Sequence, residues 1–439
     1  MDGPIRIGLL GAGVVGEGIL RLLDQNDAAI ARRLGRRIEV RRVVAKDPNK
    51  ARSELLSKVP FSLEPGDVLD DPDIDIVVEV MGGVEPAGAY VRRAIENGKS
   101  VVTANKALLA EHGHELMTLT EARGVDLYFE AAVAGGIPVI RVLREALASD
   151  EVGHLVGIVN GTSNYILSTM RERGLDFAEA LAEAQAKGYA EADPTLDVGG
   201  GDAAHKLTIL ATLAFGAKLL PSAVHVEGIT EVAAIDIAMA ARFGFVIKPL
   251  AIGRELPDGS VSLRVHPALV PEASVLASVS GALNVVVLHG AMLGPCMLSG
   301  YGAGALPTAM SVVSDIVDVA RNLVMGASGR VPQRAFRSEH LEERRVVDKG
   351  DRVGRWYLRF GVRDRPGTVA RILGVLGAFD VSIEQMVQEG RAIGSDDAVP
   401  VVMLTHEARE DNVASALEEI AGLSGVAAPA RAFRIEELG

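Results

Sequence analysis

The sequence predicts an α/β protein in three parts. A doubly wound parallel sheet comes first, an α+β domain follows, and a ferredoxin-like unit closes the chain. Three observations carry this. Short apolar runs alternate with helical spacing over the first third. Strands and helices interleave through the middle. The tail repeats the order strand, helix, strand, strand, helix, strand.

In the first third, Ile5 to Leu10 is a continuous apolar strand that ends in glycines, and Val14 to Asp24 has helical apolar spacing. Further strands are expected at Ile38 to Ala45, Ile74 to Val80, Ser100 to Thr103 and Val125 to Ala131. Buried strands alternating with helices imply β-α-β units. In the middle, helices are expected at 137–149, 176–188 and 202–216, and strands at 154–159, 224–228, 243–252 and 260–266. A helix over 307–323 carries Val312, Val313, Ile316 and Val319 on one face and is expected to pack back on the first domain. Residues 328–350 are charged and aperiodic, which reads as a linker. The tail gives a strand at 355–362, a helix at 368–378, strands at 381–388 and 398–405, a helix at 410–422 and a strand at 430–435. The expected boundaries are 1–133, 134–327, 328–350 and 351–439.

Composition narrows the function. The 439 residues are enough for two or three cores, and 48% are hydrophobic, so the chain is globular. A net charge of -13 repels phosphate backbones and anionic lipids, which argues against nucleic acid and membrane as partners. One cysteine, Cys296, excludes an intrachain disulfide and suits a reducing compartment. No basic segment with an apolar core opens the chain and no apolar run spans a bilayer, so the cytoplasm is expected.

The first chemical motif is Gly11-Ala12-Gly13-Val14-Val15-Gly16, between a strand and a helix. Gly11 permits the turn, Gly13 lets a phosphate approach, and Gly16 lets helix and strand pack. The helix then offers Val14, Val15 and Gly16 N–H groups and its positive dipole to a pyrophosphate. A bare glycine turn is the alternative, but the context favours a Rossmann-like dinucleotide site. The next strand ends at Lys46-Asp47. Asp47 suits the ribose hydroxyls of NAD and Lys46 suits the extra phosphate of NADP, so both cofactors stay open.

A second cluster spans 186–206. Glu191, Asp193 and Asp197 lie on a loop, while Asp202 and Lys206 are i, i+4 on one helix face. An ordinary surface ion pair is the bland alternative. Lys206 leads into the apolar run Leu207 to Phe215, however, and a partly desolvated lysine beside a carboxylate can serve as proton donor. His205, on another part of the helix, reads as structural. Thr103, Asn105 and Lys106 follow a strand at the C-terminal edge of the sheet, where ligands of such sheets bind. Asn160 to Tyr165 reads as a capping turn. The bend Glu130 to Ile137 offers backbone carbonyls and one carboxylate, which suit a hard monovalent cation. Metal-ligand His/Cys spacing, a G-x-S-x-G elbow and a P-loop are all absent from the sequence.

Seven stretches together resemble homoserine dehydrogenases of the longer bacterial form, with a C-terminal ACT regulatory domain. They are Gly-Leu-Leu-Gly-Ala-Gly-Val-Val-Gly (8–16), Val-Val-Thr-Ala-Asn-Lys-Ala (101–107), Glu-Ala-Ala-Val-Ala-Gly-Gly-Ile-Pro (130–138), Ile-Val-Asn-Gly-Thr-Ser-Asn-Tyr (158–165), Gly-Tyr-Ala-Glu-Ala-Asp-Pro-Thr-Leu-Asp (188–197), Gly-Asp-Ala-Ala-His-Lys (201–206) and Gly-Ala-Gly-Ala-Leu-Pro-Thr (302–308). The resemblance implies NAD(P)-dependent interconversion of L-homoserine and L-aspartate 4-semialdehyde, a step of threonine, isoleucine and methionine biosynthesis. It makes the middle domain catalytic and dimerising, and the protein a homodimer or homotetramer. It implies Lys206 as proton donor, Asp202 as orienting and substrate-binding carboxylate, and Glu191 as the holder of the substrate amino group. Lys106 would lie between nicotinamide and substrate, flanked by Thr103 and Asn105, with Gly304 in a late cofactor loop. Glu130, Val133, Gly135 and Ile137 would hold a sodium ion, the last three through carbonyls. Lys46 stands where the family often has arginine and lacks the bidentate fork; NADP is the expected cofactor, with NAD as alternative. The tail matches the ACT pattern at Asp364, Pro366, Gly367 and Ala370, which implies threonine as effector. Asp380 replaces a common glycine, and aspartate tolerates left-handed geometry there. The competing readings are another NAD(P) oxidoreductase of a small amino or hydroxy acid, and an inactive amino-acid sensor. Lys106, Glu191, Asp202 and Lys206 together argue against the sensor.

Overall fold

The computed structural model describes residues 3–46, 54–388 and 398–437. Its first sheet is six-stranded and parallel: β1 (Ile5–Leu10), β2 (Ile38–Val44), β3 (Phe61–Ser62), β4 (Ile76–Glu79), β5 (Ser100–Thr103) and β6 (Leu127–Tyr128) run in the order β3-β2-β1-β4-β5-β6. The order reverses between β1 and β4, which opens a crevice at the strands' C-terminal ends. Helices α1 (Val14–Leu34), α2 (Ala87–Glu96) and α3 (Lys106–Arg123) belong to the crossovers. Ile7 and Leu9 on one sheet face are fully buried, and Leu10 and Val77 fill the other.

The second sheet is mixed. β7 (Val152–Ile158), β8 (His225–Val226), β9 (Phe245–Glu255), β10 (Val261–Pro271), β11 (Leu283–Gly290) and β12 (Gly294–Tyr301) come from the middle of the chain. The helices that accompany them include α4 (Gly161–Arg173), α5 (Gly201–Phe215) and α6 (Ala234–Arg242), with the helix expected over 176–188 found at Phe177–Ala186. The β11–β12 hairpin is an addition to the strands expected from sequence. The helix expected over 137–149 is broken up: Val139–Arg141 is one turn, after which Leu147 N–H reaches back five residues to the Val142 carbonyl. Helix α7 (Ala305–Met325) returns to the first domain, where Ala309, Val312, Ile316 and Val319 join Ile7, Leu9 and Ile19 in one core. A Cβ on Gly18 would stand 2.8 Å from the Ala305 carbonyl, so α1 and α7 approach at a glycine.

The tail is the ferredoxin-like unit: β13 (Val353–Arg363), α8 (Thr368–Ala378), β14 (Ile383–Gln388), β15 (Ala398–Thr405), the short β16 (Ala408–Arg409), α9 (Glu410–Ala421) and β17 (Val426–Ile435). Its strand β17 pairs parallel with β10, Ala268 opposite Arg434 and Leu269 opposite Ile435. One sheet of order β12-β11-β7-β9-β10-β17-β13-β15-β14 therefore runs through both units. Partly buried ion pairs fasten the seam. Arg434 binds Glu227 bidentately at 2.7 and 2.8 Å, and Arg359 with Tyr357 holds the buried Asp236 of α6.

The segment 328–350, expected as a linker, is packed against the body. Val331, Gln333, Arg334, Leu341 and Val347 are buried, Lys218 N–H bonds the Glu342 carbonyl at 2.8 Å, and Val261 and Val347 bond across the strap. Asp380 adopts φ 56°, the left-handed geometry that the glycine of the pattern would supply.

Candidate active site

The glycine loop is shaped by what its side chains would strike. Gly11 has φ 114°, and a Cβ there would lie 2.7 Å from the Val80 carbonyl. A Cβ on Gly16 would lie 2.4 Å from the Gly11 carbonyl. Gly13 differs: its missing Cβ leaves open space, with nothing within 4 Å. Gly13 caps α1 without a side-chain bond, so the first N–H groups of α1 face that space. This is a cradle for a pyrophosphate. A cleft of about 360 Å³ lies beside it, walled by Gly11 to Gly13, Val44 to Lys46 and Val80 to Gly82. Lys46 is in that wall, and Asp47 lies outside the described residues. Val14 and Val15 open α1, with the Val14 side chain exposed.

Across the edge, Thr103 ends β5 and Asn105 caps α3. The Asn105 side-chain oxygen accepts Leu108 N–H at 3.2 Å, and its amide donates to the Gly83 carbonyl at 2.6 Å. Lys106 is the first residue of α3, where the helix dipole opposes its charge. A carboxylate offsets this. Lys106 Nζ stands 3.0 Å from Asp202 Oδ1, and Lys206 Nζ stands 2.7 Å from Asp202 Oδ2. Asp202 sits in the first turn of α5, where the dipole favours it, and it joins the starts of two helices from two domains.

The rest of the cluster orients these three. Lys206 Nζ also donates to the Val159 carbonyl at 2.7 Å. Asn160 Nδ2 donates to both Asp202 and Asp197 at 2.8 Å, while its oxygen caps α4 at Ser163 N–H. Burial alone would raise the Asp202 carboxyl, but the two lysine charges hold it well below the usual carboxylate range. Burial lowers Lys106, and Asp202 more than reverses that. Asp197 is pushed up by burial. Glu191 is exposed on its loop, near enough for its charge to raise Lys106. Asp193 instead closes a local turn on Thr195. His205 bonds neither Asp202 nor Lys206.

Glu130, Val133, Gly135 and Ile137 lie on one buried bend. Both Glu130 oxygens accept backbone N–H groups, of Ile140 at 2.8 Å and Arg141 at 2.9 Å. Burial pushes its carboxyl up to about 6. The Gly135 carbonyl accepts the Ser311 hydroxyl at 2.7 Å, and the Ile137 carbonyl accepts Val139 N–H. Each of these oxygens keeps a further lone pair, so an all-oxygen set for a hard cation is compatible with these bonds. Gly135 has φ 51° and a Cβ there would lie 2.5 Å from the Gly302 carbonyl, so this bend meets the 301–304 loop. Gly304, φ 119°, caps α7 in that loop. Sequence reasoning passed over Glu79, Asn284 and Asp315. Asn284 bonds the Val159 carbonyl at 3.0 Å and Asp315 bonds Glu130 N–H at 2.7 Å. A carboxylate set inside the apolar run 76–80 was the available signal for Glu79.

A dinucleotide cradle and a lysine–carboxylate cluster that starts from the C-terminal edge of the same sheet define an NAD(P)-dependent oxidoreductase. The homoserine dehydrogenase NAD-binding model matches residues 11–130, the homoserine dehydrogenase model 138–317 and the ACT model 356–424. The homoserine dehydrogenase of Neisseria gonorrhoeae is 44% identical over 435 residues, 99% of each chain. The crystal structure of a homoserine dehydrogenase from Thiobacillus denitrificans superposes with a TM-score of 0.94 at 44% identity, covering 100% of both chains. A hyperthermophilic archaeal homoserine dehydrogenase in complex with NADPH matches 72% of this chain and 97% of its own, with a TM-score of 0.61 at 26% identity. The chain belongs to the homoserine dehydrogenase family, with a C-terminal ACT domain.

Proposed function

We propose that this enzyme of amino-acid biosynthesis interconverts L-homoserine and L-aspartate 4-semialdehyde, with Lys206 moving the proton. The observation that carries this is the Asp202 carboxylate shared by Lys206 and Lys106. When bound, the nicotinamide supplies or takes up the hydride. As the aldehyde is reduced its oxygen gains negative charge, and a positioned ammonium both stabilises that charge and donates the proton. Asp202 and the Val159 carbonyl fix the direction of Lys206 Nζ. Glu191 holds the substrate's ammonium group, and Asp202 binds and orients the substrate. Lys106, Thr103 and Asn105 line the path between cofactor and substrate, with Gly304 closing it.

NADP is the preferred cofactor and NAD the alternative. Lys46 in the cleft wall supports this, as does a relative solved with NADPH. Glu130, Val133, Gly135 and Ile137 hold sodium, which braces the bend between the domains. Threonine acts as effector at the Asp364–Gly367 turn, where Gly367 (φ 85°) caps α8. The protein works in the cytoplasm as a homodimer or homotetramer. β12 supports pairing, since it ends the sheet with Met297 and Tyr301 exposed. Among the described residues no helix is long and apolar enough to cross a membrane.

The test is the oxidation of L-homoserine by the purified protein with NADP⁺ and with NAD⁺. Turnover with both and a lower KM for NADP⁺ is expected, and absence of turnover with either overturns the reading. Threonine inhibition is best tested with Asp364→Ala, since removing 351–439 would strip β17 from β10. Inhibition that survives the substitution unchanged contradicts the effector site.

A further inference from the structure

Glu79 ends β4, a strand of isoleucine and valine, and is fully buried. Both of its oxygens accept and neither donates. Oε1 takes the N–H groups of Met81 at 2.7 Å and Gly82 at 3.3 Å, and Oε2 takes the Thr103 hydroxyl at 2.6 Å. That is the pattern of an ionised carboxylate. Among the described residues it has no cationic partner. A buried charge without a counter-ion is costly, and an ordinary loop brace has no need of one.

Its position suggests what the charge is for. Glu79 and Thr103 are the last residues of neighbouring strands, at the edge where ligands of this sheet bind. The two amides it holds belong to the loop that walls the cleft. Thr103 in turn accepts Asn105 N–H at 3.0 Å, and Asn105 bonds Gly83, so carboxylate, loop and the start of α3 form one ring. Lys106, the next cation along, is already balanced by Asp202. The cofactor itself changes charge during the reaction: its reduced nicotinamide ring is neutral, and its oxidised ring is a pyridinium cation.

We propose that Glu79 sets the redox preference of the cofactor site, its carboxylate favouring the oxidised cofactor by charge. The inference rests on NAD(P) binding and is independent of which dinucleotide is preferred. Glu79 is a positioning residue for the loop and an electrostatic partner of the bound ring.

The test is equilibrium binding to the full-length protein, without substrate. Dissociation constants for NADP⁺ and NADPH are measured by calorimetry. Glu79→Gln keeps shape and one acceptor but removes the charge. It should weaken NADP⁺ relative to NADPH by a few-fold to about tenfold, the scale of one partly screened charge. Thr103→Val removes a bond and keeps the charge, so it should weaken both forms alike. Glu79→Asp keeps the charge and should retain the wild-type ratio, which also serves if the glutamine variant does not fold. An unchanged ratio in Glu79→Gln overturns the proposal, as does a ratio lost in Glu79→Asp. Failure of the wild-type protein to bind either form would count against the dinucleotide site instead.

Discussion

Two regions of the middle domain bury a lysine, and they do it differently. Lys206, 9% exposed, meets a carboxylate and a carbonyl in a cluster with Lys106 and Asn160. Lys248 on β9, 2% exposed, has one carbonyl, that of Val279 at 2.6 Å. Burial pushes Lys248 down to about 8, with Arg171 adding to the effect and Glu172 opposing it. Burial alone therefore does not set Lys206 apart. What does is a carboxylate that balances its charge where the starts of two helices meet.

The comparison is tested first at its strongest point. Lys206→Ala should lower turnover by about 10²–10⁴-fold, the range for loss of a general acid, with the calorimetric Kd for cofactor near wild type. Near-full turnover across pH would remove Lys206 from the chemistry. At the other lysine, Lys248→Met should leave turnover unchanged and raise stability at pH 7 by up to about 3 kcal/mol, the worth of a lysine held near 8 instead of 10.5. The sign follows from linkage. The folded state holds the Lys248 proton less tightly than the unfolded chain does. The penalty is thus full below pH 8 and fades as pH rises from about 8 towards the unfolded value of about 10.4. Val279 keeps a donor in the variant, because Asn164 Nδ2 also bonds it. Thermal melts at pH 7 and pH 10 should show the gain shrinking, and an equal gain at both would refute the depressed lysine. The smallest effect is at the edge of the site. Asn105→Ala removes the α3 cap and should cost about 1 kcal/mol in denaturant unfolding, with a rise in KM for cofactor. A KM that stays flat would separate the cap from the cofactor path.

Much of this was legible because it is local. The strand, Gly11 to Gly16 and the following helix are contiguous, and the glycine spacing states its own geometry. Asp202 and Lys206 are legible as a pair because i, i+4 puts them on one helix face. Lys106 is not, from spacing alone: it reaches Asp202 only once α3 of one domain is set against α5 of another. The β10–β17 pairing was hidden for the same reason, since an edge strand does not encode its partner. The β11–β12 hairpin was missed because β12 (Gly-Pro-Cys-Met-Leu-Ser-Gly-Tyr) is poor in β-branched residues. The strap 328–350 lacks periodicity because it is pinned at single residues such as Arg334, which bonds His114 and Glu121. Glu79 was hidden inside an apolar run that reads as core.

The central claim is that Lys206 and Asp202 act as one unit. Turnover of Lys206→Ala, Asp202→Ala and the double variant tests it most directly, with cofactor affinity measured in each. The account predicts that the double variant loses much less than the product of the two single losses, because Asp202 acts on the proton through Lys206. Losses that multiply would contradict it, because each side chain would then act without the other.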